Sequence, residues 1–172
     1  IIPGFDKSKV IVNGSVQLHD TLLNPILSGK FDCPSISIPE IPVSMKNSVF
    51  NLNGVILNGS ASVEEFVSGG IKASNITSDF QLIGNDFYLN NLKGSAFDGK
   101  FDGNIAYNLQ STLCKVILNG ASMNALKAIE GAAGIKNALT GTLSFSSNIK
   151  FKGVDYNDMM KSLKGGADFQ IN

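Results

Sequence analysis

Apolar and polar residues alternate with a period of two over long stretches of the chain. From Leu139 to Lys152 the odd positions are Leu139, Gly141, Leu143, Phe145, Ser147, Ile149 and Phe151, and the even ones are Thr140, Thr142, Ser144, Ser146, Asn148, Lys150 and Lys152. An extended chain with that pattern is oily on one face and wet on the other, the signature of a half-buried strand. At about 3.3 Å per residue the strand would run roughly 45 Å, far beyond the usual five or six residues. Val10, Val12, Val16 and Leu18 alternate in the same way against Lys9, Asn13, Ser15 and Gln17. So do Ile76, Phe80 and Leu82, and also Phe101, Ile105 and Tyr107.

Turn chemistry divides these runs. Asp98-Gly99 in "AFDGKF" sits between two apolar runs, a hairpin signal because Gly tolerates positive φ. "LIGNDFYL" turns around Gly84-Asn85-Asp86. The spacing predicts an antiparallel meander of strands 71–83, 86–95, 100–108 and 112–119. Upstream, Pro25, Pro34, Pro39 and Pro42 punctuate a segment read as edge strand or loop, since proline cannot donate to a ladder. The run "SVFNLNGVILNG" is apolar on both faces and reads as a central strand.

Short helices interrupt the β-run. Ser122 is expected to cap a helix from Met123 to about Ala133, with Leu126 and Ile129 inward. Asp155 is expected to cap a helix from Tyr156 to Lys164, with Met159, Met160 and Leu163 inward and Gly165-Gly166 as its stop. "SVEEF" has capping-box spacing from Ser62 to Glu65 and gives a third, short helix. Gly120 and Gly153, 33 positions apart, begin similar phrases, which predicts a repeated unit of strand, Gly turn, capped helix, Gly stop and strand.

Composition narrows the function. The 172 residues suffice for a single domain with a real core. Charged residues make up 16% and the formal net charge is zero, so the basic excess that phosphate contacts require is absent and nucleic acid is set aside. No apolar run approaches the roughly 18 residues of a membrane span. The chain begins "IIPGFDKSKV" without an initiator Met and stops inside an apparent strand, which reads as an excerpt of a larger protein or a processed product, any anchor or export signal lying elsewhere. Cys33 and Cys114 lack metal-motif spacing and read as buried thiols, a disulfide being the alternative in an oxidising compartment.

Reactive chemistry is sparse. His19, the only histidine, sits in "QLHDT" without a Ser or Cys motif and reads as a turn residue. Glu64, Glu65 and Asp79 read as solvated carboxylates rather than a glycosidase pair. "EGAAGIK" is a helix end with no phosphate-loop context, and no metal-ligand cluster is present. The expectation is therefore a non-enzyme with no cofactor and no metal.

A long sheet with one apolar face must bury that face, and helices of two or three turns cannot cover strands this long. Either a second sheet closes a sandwich, or the sheet curls and leaves a trough open to lipid or a partner. The expected fold is mainly β, a long antiparallel curled sheet with two or three short helices. Leu143, Phe145, Ile149, Phe151, Phe101, Ile105, Phe80 and Leu82 are the candidate groove residues. The competing expectations for function are lipid handling, a structural or assembly module that binds another protein, and a repetitive β-rich surface protein.

The stretch "FKGVDYNDMMKSLKGGADFQIN", preceded by "LNGASMNALKAIEGAAGIKNALTGTLSFSSNIKF", resembles the C-terminal region of the AsmA family of Gram-negative envelope proteins, in which strands alternate with a short helix after a Gly-x-Asp/Ser turn. "GGIKASNITSDFQLIGNDFYLNNLKGSAFDGKFDGNIAYNL" resembles the family's Gly-rich meander. The resemblance covers roughly residues 45–172, and the first 44 fit it loosely. It implies a β-rich periplasmic body whose parent is tethered to the inner membrane by an N-terminal helix. It also implies a long curled sheet with a groove for phospholipid acyl chains, and a part in phospholipid traffic and outer-membrane homeostasis.

Overall fold

The computed structural model describes residues 9–10, 13–19, 26–38, 43–55, 57–137 and 139–172. The strands are β1 (Lys9–Val10), β2 (Asn13–His19), β3 (Ile26–Ile38), β4 (Val43–Val55), β5 (Asn58–Ser68), β6 (Ile71–Ile83), β7 (Asp86–Ala96), β8 (Gly99–Asn108), β9 (Leu113–Asn124), β10 (Thr142–Lys152) and β11 (Lys164–Ile171). Two helices interrupt them, α1 (Ala125–Ala133) and α2 (Tyr156–Ser162). From β3 to β11 every strand pairs antiparallel with its chain neighbours, while β1 and β2 both pair with β3. The result is one mainly antiparallel sheet that does not close on itself, with no second sheet over it among the described residues.

Pairing in register puts apolar side chains on one face and charges on the other. Among the described strand residues, the lysines and aspartates lie on the second face, as in Lys46 opposite Glu65 and Lys93 opposite Asp102. The buried residues Cys33, Ile36, Leu52, Val63, Ala73, Phe80, Leu92, Ala96, Cys114, Val116, Met123 and Leu143 share the first face.

The sheet bends around that apolar face along a crease. In β3, β4, β5 and β6 the regular pairs skip one residue each, namely Pro34, Asn47, Glu64 and Asn75, which lie opposite one another across the four strands. At each skip two successive residues stay on the polar side, as in Lys46-Asn47, Glu64-Glu65 and Ser74-Asn75. β7 and β9 carry similar irregularities at Asn91 and Ser122. Asn47, Asn75, Asn91 and Ser122 have φ of 49°, 52°, 55° and 56°. Asn tolerates this left-handed region better than most residues. All six positions are exposed. An extra residue on one side of a strand bends it, as a β-bulge does, with the longer side convex. Burial agrees with that sense. Apart from a helix residue, the most buried side chains are Ser48 (1%), Met123 (3%) and Cys33 (4%), next to Asn47, Ser122 and Pro34 on the opposite, apolar side.

Helix α1 lies across one end of the concave side. Its N-terminus hangs on the residue just before β10, where Ala125 N–H donates to Gly141 O at 3.0 Å. At its other end a Cβ on Gly131 would lie 2.8 Å from Gly70 O in the β5–β6 turn. A nine-residue helix is about 13 Å long, whereas four strand spacings in a flat sheet are about 19 Å. The sheet therefore curls beneath it. Ala125 and Ala128 pack against Ala73, Ala96, Met123 and Leu143.

Several sequence expectations need correction. Residues 62–66 are strand β5, not helix; the skip at Glu64 explains the misleading spacing. The N-cap of α1 is Asn124, not Ser122, because β9 continues in register to Asn124 opposite Thr142. Its buried face is Ala125 and Ala128, while Leu126 and Ile129 are half-buried, because only methyl side chains fit under a helix so close to the sheet. Asp155 does cap α2, but that helix ends at Ser162, and Gly165-Gly166 belong to β11. Leu163 turns extended, and the Ser162 hydroxyl donates to Lys152 O at 2.6 Å, which pins the chain to β10. Of its apolar residues only Met159 is half-buried; Met160 and Leu163 are 51% and 43% exposed.

The turns and strand ends also shift. The β7–β8 turn is Phe97-Asp98, with φ of 51° and 65°; Gly99 already pairs with Ala96. Gly120 lies inside β9 and Gly153 after β10, so the two phrases are not one repeated unit. The strand predicted from Leu139 begins at Thr142, because Gly141 at φ 129° breaks the extended run. β4 is interior, between β3 and β5, but alternates: Ser48, Phe50 and Leu52 face inward and Asn51 and Asn53 outward. Pro34 lies within strand β3, between the stretches that pair with β2 and β1, so no bond to the neighbour is required of it. Val12, Pro25, Pro39 and Pro42 lie outside the described residues.

Candidate functional site: an apolar trough

Register gathers the eight candidate residues into rows that run across the strands. One row is Phe80, Leu89, Ile105, Val116 and Ile149, on β6 to β10. The next is Leu82, Phe87, Tyr107, Cys114 and Phe151. A third is Gly94, Phe101, Gly120, Phe145 and Phe169, on β7 to β11. Leu143, opposite Met123 and Ile171, sits at the end covered by α1. Phe80 and Leu143 are buried, and the other six candidates are half-buried. Half-burial without a second layer is what a concave, uncovered face gives. Leu89, Leu92, Val116 and Phe87 belong to the same surface. The irregularity between Leu89 and Leu92 shifts the alternation in β7, which hid Leu92 from sequence reasoning.

Phenylalanine rings lie beside glycines on neighbouring strands. A Cβ on Gly94 would lie 2.5 Å from Phe101 Cζ, one on Gly59 2.8 Å from Phe80 Cζ, and one on Gly14 2.9 Å from Phe31 Cδ1. Gly120 stands in the same relation to Phe145. Each ring thus lies across a bare stretch of backbone. Phe80 also sits 6.5 Å from Phe50 and 6.3 Å from Phe87, measured between ring centroids.

The trough carries almost no charge. Ion pairs lie on the exposed side: Lys46 with Glu65 at 2.6 Å, Lys30 with Asp32 at 3.0 Å, and Lys127 with Asp98 at 2.7 Å, the last tying α1 to the β7–β8 turn. The hydrogen bond from Lys46 and its charge hold the Glu65 carboxyl below its ordinary value. Glu64 accepts a bond from Asn47 at 2.6 Å, and Asp79 accepts one from Asn91 at 2.7 Å. Both thiols are free and buried on the apolar face. Burial pushes Cys114 up to about 11, and burial, then the Asp32 charge, raises Cys33. The Ser48 hydroxyl is buried at the crease with no hydrogen-bond partner among the described residues.

Two depressions of about 330 and 460 Å³ share Asn51, Ser60 and Asp79 and are lined mainly by polar side chains such as Ser62, Thr77 and Gln81, so neither is an acyl-chain cavity. His19 ends β2 opposite Ile26, and its side chain lies outside the described residues. Among the described residues no group of three His, Cys, Asp or Glu could hold a metal ion, and no helix is long and apolar enough to cross a membrane. Comparison with family models, curated proteins and solved structures finds no match for this chain.

Proposed function

We propose that this chain is a non-enzymatic module of the cell envelope that shields or carries lipid acyl chains in its apolar trough. The observation that carries the reading is the continuous face of Phe80, Leu82, Phe101, Ile105, Phe145, Ile149 and Phe151, half-exposed for the most part and without a second sheet among the described residues. Burying an acyl chain there would gain about 0.8 kcal/mol per methylene before ordering costs. A periplasmic location, a parent anchored in the inner membrane and a part in outer-membrane homeostasis rest on the resemblance to the AsmA family.

The trough supplies apolar area and no cluster of cations, so binding is expected to discriminate weakly between headgroups and to change little with salt. The experiment is solvent extraction of the purified protein with mass spectrometry of the extract, followed by fluorescent-lipid displacement with neutral and anionic phospholipids at low and high salt. Co-purified phospholipid and salt-independent displacement support the reading. Preference for anionic lipid that vanishes in salt means surface adsorption. Absence of any lipid binding favours a module that binds another envelope protein.

A further inference from the structure

On the polar face the two depressions of about 330 and 460 Å³ join through Asn51, Ser60 and Asp79, which stand opposite one another on β4, β5 and β6. Volumes from about 300 Å³ upward are those of small-ligand sites. The walls are mainly amides and hydroxyls, with one cation, Lys93, and one carboxylate, Asp79. Asn91 holds that carboxylate in place, its side-chain N–H donating to Oδ2 at 2.7 Å. The side chains of Asn53, Asn58 and Gln81, in the wall of the larger depression, make no hydrogen bond among the described residues, and Asn58 Oδ1 is shielded from water as well. A shielded acceptor without a donor is costly to leave so. Beyond the depressions, by contrast, Asn47, Asn108 and Asn119 each bond a carboxylate. Amides without partners therefore gather where the surface is hollow.

We propose that the joined depressions bind a neutral saccharide. A sugar hydroxyl both donates and accepts, and a side-chain amide offers both functions in one plane. Asp79, at the shared centre, supplies a charge-assisted acceptor. Asn53, Asn58 and Gln81 take the hydroxyls of a ring in the larger depression. Free of protein partners, the Asn58 amide can turn to meet one of them. Tyr88, half-buried and opposite Gln81 in the same row, adds an aromatic side chain beside that ring. Other ligand classes fit worse. Phosphate or nucleic acid calls for several cations and a metal ion for several carboxylates, whereas the depressions hold one of each. The opposite signs of Asp79 and Lys93 leave the site neutral overall, which selects uncharged sugars over acidic ones. The site lies on the face away from the trough and does not depend on what the trough holds.

The test is a nuclear magnetic resonance titration of the whole chain. The probes are neutral oligosaccharides of glucose, N-acetylglucosamine, mannose and galactose, with an oligogalacturonate as the acidic comparison. At least one neutral probe should give saturable shifts in the side-chain amide signals of Asn53, Asn58 and Gln81, with trough residues such as Ile105 unmoved. Asp79→Ala and Gln81→Ala should each weaken that binding about tenfold or more. Asn148→Ala, on the same face but outside the depressions, should leave it unchanged. Circular dichroism checks the fold of each variant. If Asp79→Ala, which loses the bond from Asn91, fails to fold, Gln81→Ala and Asn53→Ala still decide. No saturable shift with any neutral probe would overturn the proposal. So would tighter binding of the acidic probe that disappears in salt, or binding that Gln81→Ala and Asn53→Ala leave untouched.

Discussion

The ring of Phe145 on β10 occupies the space where Gly120 on β9 would carry a methyl group. The glycine is there for close approach, since its φ lies outside the left-handed set. Gly120→Ala should cost about 1–3 kcal/mol by overpacking. Adding Phe145→Leu should recover part of the loss, because the smaller side chain clears the site. Urea denaturation of both single variants and the double variant measures the coupling. Simple additivity would shift the blame to Met123, whose Cε also lies within 2.9 Å of the added Cβ.

The crease predicts an unusual order of substitutions at Asn75. Its φ of 52° is costly for a β-branched residue and free for glycine. Asn75→Val should lose about 1–2 kcal/mol, although the residue is exposed and Val is favoured in strands. Asn75→Gly should match or slightly exceed the parent. Thermal denaturation checks the order, and a neutral Asn75→Val would mean that the bend does not depend on this conformation.

Helix caps give a second set. Asn124 Oδ1 accepts from Lys127 N–H at 3.1 Å, and Asp155 Oδ1 from Asp158 N–H at 2.9 Å. Asn124→Ala and Asp155→Ala should each cost about 1 kcal/mol, and Asp155→Asn much less, since Asn also caps. Ser122→Ala should change little. Equal losses for Asp155→Ala and Asp155→Asn, measured by chemical denaturation, would mean that the charge of Asp155 matters and its capping bond does not.

Burial raises the Cys114 thiol from its ordinary value of 9.0 to about 11. The folded form therefore keeps a proton that the unfolded chain loses as pH rises past 9.0. Fewer protons on the unfolded state mean that stability falls as pH rises between those values. Cys114→Ala should remove this part of the alkaline decline, visible as a flatter curve of denaturation midpoint against pH. In the native protein, alkylation of Cys114 should be slow near neutral pH and fast in urea.

Much of the sheet was readable from alternation, and the failures have a common cause. β10 and the meander from Ile71 onward follow the period of two closely enough to be placed. In β5 the inward residues Val63 and Phe66 are three apart, because Glu64 is skipped. Three is also a helical spacing, and with Ser62 and Glu65 it imitated a capped helix. Ala73 and Ile76, and Leu89 and Leu92, show the same jump, so the rows of the trough could not be aligned by counting. The ring-on-glycine pairs were invisible for a different reason. They join residues on separate strands, and which glycine meets which ring is set by register. Asp155 was legible because capping is local. Ser122 was not, since pairing with β10 carried the strand two residues past it.

In each creased strand the polar side holds one residue more than the apolar side, an excess of about 3.3 Å of backbone along the outer path. Such a difference in contour length is fixed once the strands have paired. Flattening the sheet would restore strict alternation at Pro34, Asn47, Glu64 and Asn75 and turn the apolar residues beyond them in all four strands onto the polar face. The concavity is therefore present whether the trough is filled or empty. A guest does not have to bend the sheet, and the cost of shaping the site has already been met in folding.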